Sequence, residues 1–188
     1  VLTFSRLADR VFSEVGGLAQ QMLTPAGQLL TLQEAARRVQ GGLSAWKGLA
    51  DKPELLQEAL RLIDECKTCA VAPETLFAAA EESEDAVLAE KLSDLAQILT
   101  AYERLCEESL PDPRDRLTHL RDRLAESHTL DGAAVYLDGF LGFTVQESAV
   151  VDAMLAAGVP LSAAVTCDTD YPEIFLTGCK TVQKLTRM

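Results

Sequence analysis

Cysteines are the side chains of this sequence with the most evident chemical reactivity, and there are five of them. Cys66 and Cys69 have the CxxC spacing that zinc sites and redox-active dithiols share. A zinc site needs a second pair of ligands, and His119 and His128 are not paired at ligand spacing. A redox motif needs a strand that runs into a helix, whereas this pair comes at the end of a predicted helix. We interpret both as helix-end thiols, and the odd cysteine count favours reduced thiols in a cytoplasmic protein.

The composition limits the kinds of partner that this chain can bind. A formal net charge of -12 gives an acidic surface that repels phosphate, so contact with DNA must be local or must use basic surface from elsewhere. Hydrophobic residues make up 48%, which is typical of soluble globular proteins. No apolar run has the length of a membrane span, and we expect no membrane contact. The chain opens inside an apolar run at Val1, and we expect it to be an internal piece of a longer protein.

Helical patterns occupy the middle of the chain. Thr24 and Asp51 are predicted N-caps, each followed by a proline at or near the first helical position. Apolar residues at three- and four-residue steps predict the clearest helix over residues 85–109. A further helix is predicted over 113–127, with a polar face lined by Arg114, Arg116, Arg121 and Arg123.

Strand patterns appear only toward the two ends. Residues 1–4 are predicted as a strand that runs into a helix, and Ser5 is the expected N-cap of that helix. Residues 133–137 and 161–166 are predicted as short buried strands, and a helix over 144–157 joins them. A last helix is predicted over 172–185. Short buried strands that alternate with helices predict a parallel sheet.

These patterns define an α/β fold in which an all-α insertion interrupts a parallel-sheet domain. The helical segment in the middle has about a hundred residues, which is far more than an ordinary connection between two elements of secondary structure has. We therefore assign residues 1–24 and 128–188 to a partial α/β domain and residues 25–127 to an inserted helical subdomain.

Three segments, taken in order, resemble the AddB family, the B subunits of bacterial AddAB-type (RexAB-type) helicase–nucleases. They are Leu2-Thr3-Phe4-Ser5-Arg6-Leu7-Ala8, then Glu90 to Leu95 with Tyr102 and Asp112 to Leu117, then Val135 to Glu147. The family is related to superfamily 1 helicases, so the resemblance implies a RecA-like α/β domain. It implies that the first segment corresponds to a TFH-type helicase motif and the third to a Walker B strand.

The departures from a working helicase bear on catalysis. A Walker B strand ends in Asp-Glu, where Asp binds Mg²⁺ and Glu positions the attacking water. Here Asp138 is followed by Gly139, so this Walker B motif is degenerate, and Asp138 is interpreted more simply as a loop acid that bonds nearby backbone. The Gly-Lys-Ser/Thr phosphate loop is absent from these residues, and the segment 167–170 lacks a nucleotide-sensing Gln. We expect no catalytic residues and no metal site in this segment.

The resemblance implies a role in double-strand break repair and homologous recombination. It implies a scaffold that scans single-stranded DNA for a hotspot sequence, with an A subunit carrying the motor and double-stranded DNA ends as the substrate of the complex. It implies no cofactor in this segment. ATP and Mg²⁺ would serve the complex, and an iron–sulfur cluster would lie in a downstream nuclease domain to which none of these cysteines is a ligand.

Two residues are candidate DNA contacts. Arg6 begins a helix after a predicted strand, where its guanidinium can reach a phosphate or base edge. The alternative is a surface arginine paired with Asp9. Phe140 follows a strand end, where ligands collect in parallel sheets, and can stack on a base. The alternative is a core phenylalanine beside Phe143, and Phe4 is expected in the core.

Two other functions stay open. One is a fragment of an active P-loop ATPase or helicase whose phosphate loop lies upstream, against which Gly139 argues. The other is a helical protein-interaction module without a DNA role, which the acidic charge favours.

Overall fold

The structure is a computed structural model, and it describes residues 1–17, 20–168, 170–171 and 173–187. The chain forms two compact units. The first, here called the α/β unit, comprises Val1–Ala19 and Arg116–Met188. The second, here called the helical unit, comprises Gln20–Asp115.

The structure confirms a mostly helical α/β protein with a small parallel sheet. The helices are α1 (Phe4–Val15), α2 (Pro25–Val39), α3 (Pro53–Thr68), α4 (Pro73–Glu82), α5 (Ala86–Glu108), α6 (Arg116–Arg123), α7 (Val145–Ala156) and α8 (Leu176–Leu185). The strands are β1 (Val135–Leu137) and β2 (Leu161–Ala163). Short 3₁₀ turns cover Leu49–Asp51, Pro113–Asp115 and Leu124–Glu126. Within the described residues no helix combines the length and the apolar character needed to cross a bilayer.

The prediction of two parallel strands joined by a helix is confirmed. Strand β1 pairs with β2 in parallel, with Val135 opposite Leu161 and Leu137 opposite Ala163. Helix α7 connects them, and its first turn is closed by a capping box between Thr144 and Glu147. This β–α–β arrangement brings the turns that follow both strands to one edge of the sheet.

The predicted strand at residues 1–4 is wrong, because α1 begins at Phe4. The Thr3 hydroxyl accepts the backbone N–H of Arg6 at 3.2 Å, so Thr3 is the N-cap in place of the expected Ser5. Val1 and Leu2 are exposed, and no strand pairs with residues 1–3 in the described part of the chain. An apolar run of four residues is too short to predict a strand reliably when its third residue can cap a helix.

Other boundaries fall close to those predicted. Thr24 caps α2 through the N–H of Gly27, as expected. Asp51 is not a cap, since it ends a 3₁₀ turn and Lys52 precedes α3 without a side-chain bond. Pro172, the predicted start of the last helix, lies outside the described residues, and α8 starts at Leu176.

Helix α6 packs with the ends of the chain. Leu120 and Leu124 are buried in one core with residues of α1 and α7, which include Val11 and Val150. The helical unit therefore ends at Asp115, whereas the predicted insertion extends to residue 127.

The helical unit has its own core and a buried polar network. Leu32, Ile63, Ile98 and Leu99 are fully buried among the side chains of α2, α3 and α5. Trp46 is partly buried and packs against this core. The carboxylates of Asp94 and Asp112 are also buried in this unit.

Asp112 is the centre of the polar network. Its fully buried carboxylate accepts the Gln28 amide at 2.9 Å and the Tyr102 hydroxyl at 2.8 Å. Lys67 Nζ lies 4.0 Å from Asp112 and 2.6 Å from a carboxylate oxygen of Asp115. Burial and the neighbouring Asp112 raise the pKa of Tyr102, so its hydroxyl stays protonated and donates.

Asp94 fixes the loop that enters the core of the helical unit. Its buried carboxylate accepts the backbone N–H groups of Ser44 and Trp46 at 2.8–3.1 Å. A charged acceptor of backbone N–H groups gives a stronger hydrogen bond than a neutral one. Asp94 thereby stabilises the loop next to α5.

Candidate functional site

The candidate site is the edge of the α/β unit at which β1 and β2 end. Asp138 and Gly139 directly follow β1, and both are exposed. Gly139 has φ +78°, which a residue with a Cβ adopts only with strain. The carboxylate of Asp138 has no hydrogen-bond or ion-pair partner among the described residues, so the expected bond to nearby backbone is absent there.

Three phenylalanines meet at this edge, and we call Phe4, Phe140 and Phe143 the aromatic cluster. Phe140 stacks on Phe143, with ring centroids 5.0 Å apart and planes inclined by 23°. Phe4 meets both rings edge-on, at 5.7 Å from Phe140 and 6.4 Å from Phe143. All three side chains are half-buried. The cluster therefore joins the start of α1 to the turn after β1 and leaves part of its ring surface accessible.

Arg6 lies in the first turn of α1, two residues after Phe4. It is exposed, and its guanidinium has no partner in the described part of the chain. Asp9, the alternative partner considered for Arg6, instead forms an ion pair with Arg116. Arg6 follows a helix cap and not a strand, so the expectation that Arg6 follows a strand end, as Phe140 does, is wrong. The contact between Phe4 and Phe140 is what links α1 to this edge.

Two other arginines of the α/β unit, Arg116 and Arg123, are engaged within the protein where α1 and α6 meet. Arg116 pairs with Asp9, and its guanidinium lies 5.3 Å from the centre of the Phe12 ring. Arg123 donates to the backbone oxygens of Val15 at 2.5 Å and Gly16 at 3.1 Å, which caps the end of α1. Two arginines of the predicted face of 113–127 therefore contribute to packing and helix capping, whereas Arg114 pairs with Asp64 and Arg121 pairs with Asp122.

Helix α8 supports the turn that carries Phe140. The Thr181 hydroxyl lies 2.8 Å from the backbone oxygen of Leu141 and 2.9 Å from that of Thr177. Lys184 Nζ donates to Ser148 Oγ at 2.6 Å, which joins α8 to α7. Leu141 is 66% exposed and extends the accessible apolar surface beside the aromatic cluster.

Two of the cysteines, one in the segment after β2 and one in α8, are in contact. Sγ of Cys167, in the segment after β2, lies 2.7 Å from Sγ of Cys179 in α8. This contact raises the pKa of the Cys167 thiol. The CxxC pair is different: Cys66 is buried in α3, Cys69 is exposed, and burial raises the pKa of the Cys66 thiol. Within the described residues, no group of three His, Cys, Asp or Glu side chains is placed to hold a metal ion.

The sequence had indicated only part of this arrangement. The sequence allows Phe140 a place in a core beside Phe143. It does not predict the edge-on contact of Phe4 with these rings or the hydrogen bond by which Thr181 supports the turn after β1. The spacing of Thr177 and Thr181 in α8 carries no signal for such a role, because these contacts are tertiary.

Comparison with known proteins identifies the family. Residues 1–188 match the sequence model described as ADDB, N-terminal. Proteins named as the B subunit of an ATP-dependent helicase/deoxyribonuclease are similar over most or all of the chain. The one from Thermoanaerobacter sp. (strain X514) is 31% identical over 100% of this chain, and the one from Desulforudis audaxviator is 38% identical over 89%. The one from Clostridium tetani is 33% identical over 82%.

The chain therefore belongs to the AddB family and corresponds to its N-terminal region. It spans 17% of the length of the Thermoanaerobacter protein and 15% of the length of the Desulforudis protein.

Proposed function

We propose that this chain is a non-catalytic, RecA-like part of the B subunit of a helicase–nuclease and that it contacts single-stranded DNA. The observation that carries the proposal is the half-buried aromatic cluster at the carboxyl edge of the parallel strands. Arg6 lies in the first turn of the helix that begins with Phe4 of this cluster. Ligands of parallel α/β sheets bind at this edge. The β1–α7–β2 unit supports the RecA-like assignment.

The sequence at the end of β1 supports a role without ATP hydrolysis. Gly139 occupies the position that follows the Walker B aspartate, and its φ of +78° disfavours the carboxylate that would position water. The exposed Asp138 lacks the neighbouring groups of a Mg²⁺ site among the residues that the structure describes. Loss of water positioning and charge stabilisation costs several powers of ten in the rate of phosphoryl transfer. In this proposal ATP, Mg²⁺ and an iron–sulfur cluster serve other parts of the complex.

The chemistry of the edge suits a single strand of DNA. A phenylalanine ring offers each base a stacking surface worth roughly 1–3 kcal/mol, without regard to sequence. A guanidinium adds charge and can donate to phosphate or to a base edge. Phe140 and Arg6 are the residues that we assign to these two roles, with Phe4 and Phe143 holding the ring of Phe140.

The distribution of charge supports a contact confined to the α/β unit. That unit has eight Lys or Arg and eleven Asp or Glu, whereas the helical unit has nine and eighteen. Phosphate is therefore repelled less by the α/β unit than by the helical unit. The small favourable release of counterions makes binding by this chain alone weak, so the contact has to be measured in the complete enzyme.

The relatives are named as a subunit, which implies a partner. We propose that the partner is an A subunit that carries the motor. The complex would act in the bacterial cytoplasm on double-stranded DNA ends during break repair and homologous recombination. The edge at the end of β1 would scan the unwound strand for a hotspot sequence.

The test uses the complete two-subunit enzyme with Arg6→Ala and Phe140→Leu. The second substitution keeps an apolar side chain next to Phe143 and removes the stacking ring. Arg104→Ala is the matched control, since Arg104 is an exposed arginine of the helical unit with 76% of its side chain accessible. We expect both test variants to lose hotspot response and cross-linking to the single strand while unwinding is retained.

Equal behaviour of the Arg6, Phe140 and Arg104 variants in both measurements would contradict the DNA contact. It would favour the second candidate, a protein-interaction module. The specific observation for that function is the excess of nine acidic residues in the helical unit, with nine basic against eighteen acidic side chains.

A further inference from the structure

We propose that Cys167 and Cys179 are a thiol–disulfide site that links the segment after β2 to α8. Their sulfur atoms are 2.7 Å apart, closer than two sulfur atoms in ordinary van der Waals contact. A disulfide bond is about 2.05 Å long, so bond formation needs a further approach of roughly 0.7 Å. Both side chains are partly accessible, so a small oxidant can reach them.

A separate feature explains why the two thiols meet. Gly178 directly precedes Cys179, and a Cβ placed on it would lie 2.0 Å from the backbone oxygen of Thr166, which directly precedes Cys167. Only glycine permits this approach of the two backbones. The close packing that places the thiols together is therefore built into the backbone at Thr166 and Gly178, and it does not depend on side-chain rotamers alone.

The reaction needs an oxidant, and we assign a low-molecular-weight disulfide. The thiolate of one cysteine attacks a sulfur of this disulfide, which forms a mixed disulfide and releases one small thiol. The second cysteine, as thiolate, then attacks the protein sulfur of the mixed disulfide and expels the second small thiol. The two protein thiols lose two protons and two electrons in total, and these reduce the small disulfide to two small thiols. Reduction runs through the same steps in reverse.

The consequence concerns the position of the turn that carries Phe140. Thr181, two residues after Cys179, bonds the backbone oxygen of Leu141. A bond between Cys167 and Cys179 would hold α8 to the segment after β2, and α8 already supports the turn after β1. Oxidation would therefore fasten together the segments that follow both strands. This inference does not depend on whether the edge binds DNA.

The experiment uses the complete polypeptide that carries this chain, equilibrated in mixtures of reduced and oxidised glutathione. Acid quenching, alkylation, proteolysis and mass spectrometry identify the state of each cysteine. We expect a cross-linked peptide pair that contains Cys167 and Cys179, with the exposed Cys69 carrying glutathione in the same samples. Cys179→Ser should abolish the cross-link and leave glutathione on Cys167, whereas the control Cys69→Ser should leave the cross-link intact.

The inference would be overturned if Cys167 and Cys179 stay free, or carry glutathione singly, in mixtures in which Cys69 is modified. This measurement uses the unsubstituted protein, so it does not depend on how well the variants fold. A cross-link that also forms in Gly178→Ala, to the same extent, would contradict the role of the close backbone approach.

Discussion

In the helical unit, charged side chains are buried and neutralise one another, whereas in the α/β unit aromatic side chains gather at an edge and stay partly accessible. Asp112 and Lys67 lie inside the helical unit, and that unit as a whole is strongly acidic. Phe140 and Phe143 follow β1 and stack on each other, and the exposed Arg6 has no side-chain partner among the described residues. The helical unit is organised around its own interior, while the α/β unit presents a surface that a ligand can reach.

The difference indicates that the helical unit and the α/β unit have different roles. A buried ion network contributes little net stability compared with apolar packing, but the loss of one partner is costly because a charge is left unpaired. Our hypothesis is that this network specifies one arrangement of α2, α3 and α5. Half-exposed rings contribute less to packing than buried ones, and a protein that keeps them at an edge gains a stacking surface.

The largest effect that the comparison predicts is for Asp112→Ala in the helical unit. The substitution leaves the donors of Gln28 and Tyr102 without an acceptor and removes one of the two carboxylates near Lys67. We expect the free energy of unfolding of this unit to fall by about 3–5 kcal/mol. Peptide-resolved hydrogen exchange should show the loss in α2, α3 and α5.

Tyr102→Phe is the matched control for Asp112→Ala. It removes one donor and one hydrogen bond from the network and leaves the charges paired, so we expect a loss of about 1 kcal/mol. Equal free energies of unfolding for the two variants would show that the charged network around Asp112 does not stabilise the fold of the helical unit. The proposed difference between the two units would then be wrong.

Gly178→Ala should have the next largest effect, in the α/β unit. The added methyl group would lie 2.0 Å from the backbone oxygen of Thr166, and a backbone atom cannot turn away as a side chain does. We expect a loss of about 1–3 kcal/mol, seen as faster hydrogen exchange in α8 and in residues 161–168.

Gly142→Ala provides the control for this backbone contact. Its Cβ would have Thr181 Oγ1 as its nearest neighbour, at 3.6 Å, which is an ordinary contact. Hydrogen exchange in α8 should be nearly unchanged. An equal response of the two alanine variants would show that α8 and the segment after β2 are not held together at Gly178.

The sequence predicted those parts of the fold in which the signal is local. Helix α5 follows from its apolar spacing, and α2 follows from Thr24 and the proline after it. The strands β1 and β2 are recognisable because each is a short apolar run between turn residues. The strand predicted over residues 1–4 is wrong because the same short apolar run can begin a strand or precede a helix cap. Only pairing with another strand, which is a tertiary contact, distinguishes the two.

The contacts that join distant parts of the sequence were beyond local patterns. The bond between Gln28 and Asp112 spans 84 residues, and the meeting of Phe4 with Phe140 depends on how α1 packs. The proximity of Cys167 and Cys179 depends on one glycine whose role appears only when Thr166 approaches it. For the candidate site, the sequence indicated Phe140 and Arg6, while the partners that hold Phe140 had to come from the structure.

The smallest predicted effect on stability concerns Glu14, an exposed carboxylate of the α/β unit. The carboxylate of Glu14 accepts the Ser127 hydroxyl at 2.5 Å, the His128 backbone N–H at 2.9 Å and the Thr129 hydroxyl at 3.0 Å. These bonds lower the pKa of Glu14 to about 2. A carboxylate with a lowered pKa stabilises the folded state above its unfolded pKa, and this contribution is lost as the pH falls through the folded value. The stabilisation by Glu14 is therefore complete above a pH of about 4.5 and disappears as the pH falls toward 2.

The pH dependence of this stabilisation can be tested by measuring the thermal unfolding midpoint of Glu14→Gln between neutral pH and pH 2. Asp152→Asn is the control, because Asp152 is an exposed carboxylate of α7 with no hydrogen bond in the described part of the chain. The Glu14 variant should melt slightly below the parent at neutral pH, and the two curves should converge between pH 4.5 and 2. The Asp152 variant should follow the parent throughout. Because the Glu14 carboxylate is exposed, added salt should reduce the neutral-pH difference. A difference that stays constant down to pH 2 would mean that Glu14 acts through packing, and the charged groups of the α/β unit would then contribute less to its fold than the buried ones of the helical unit do to theirs.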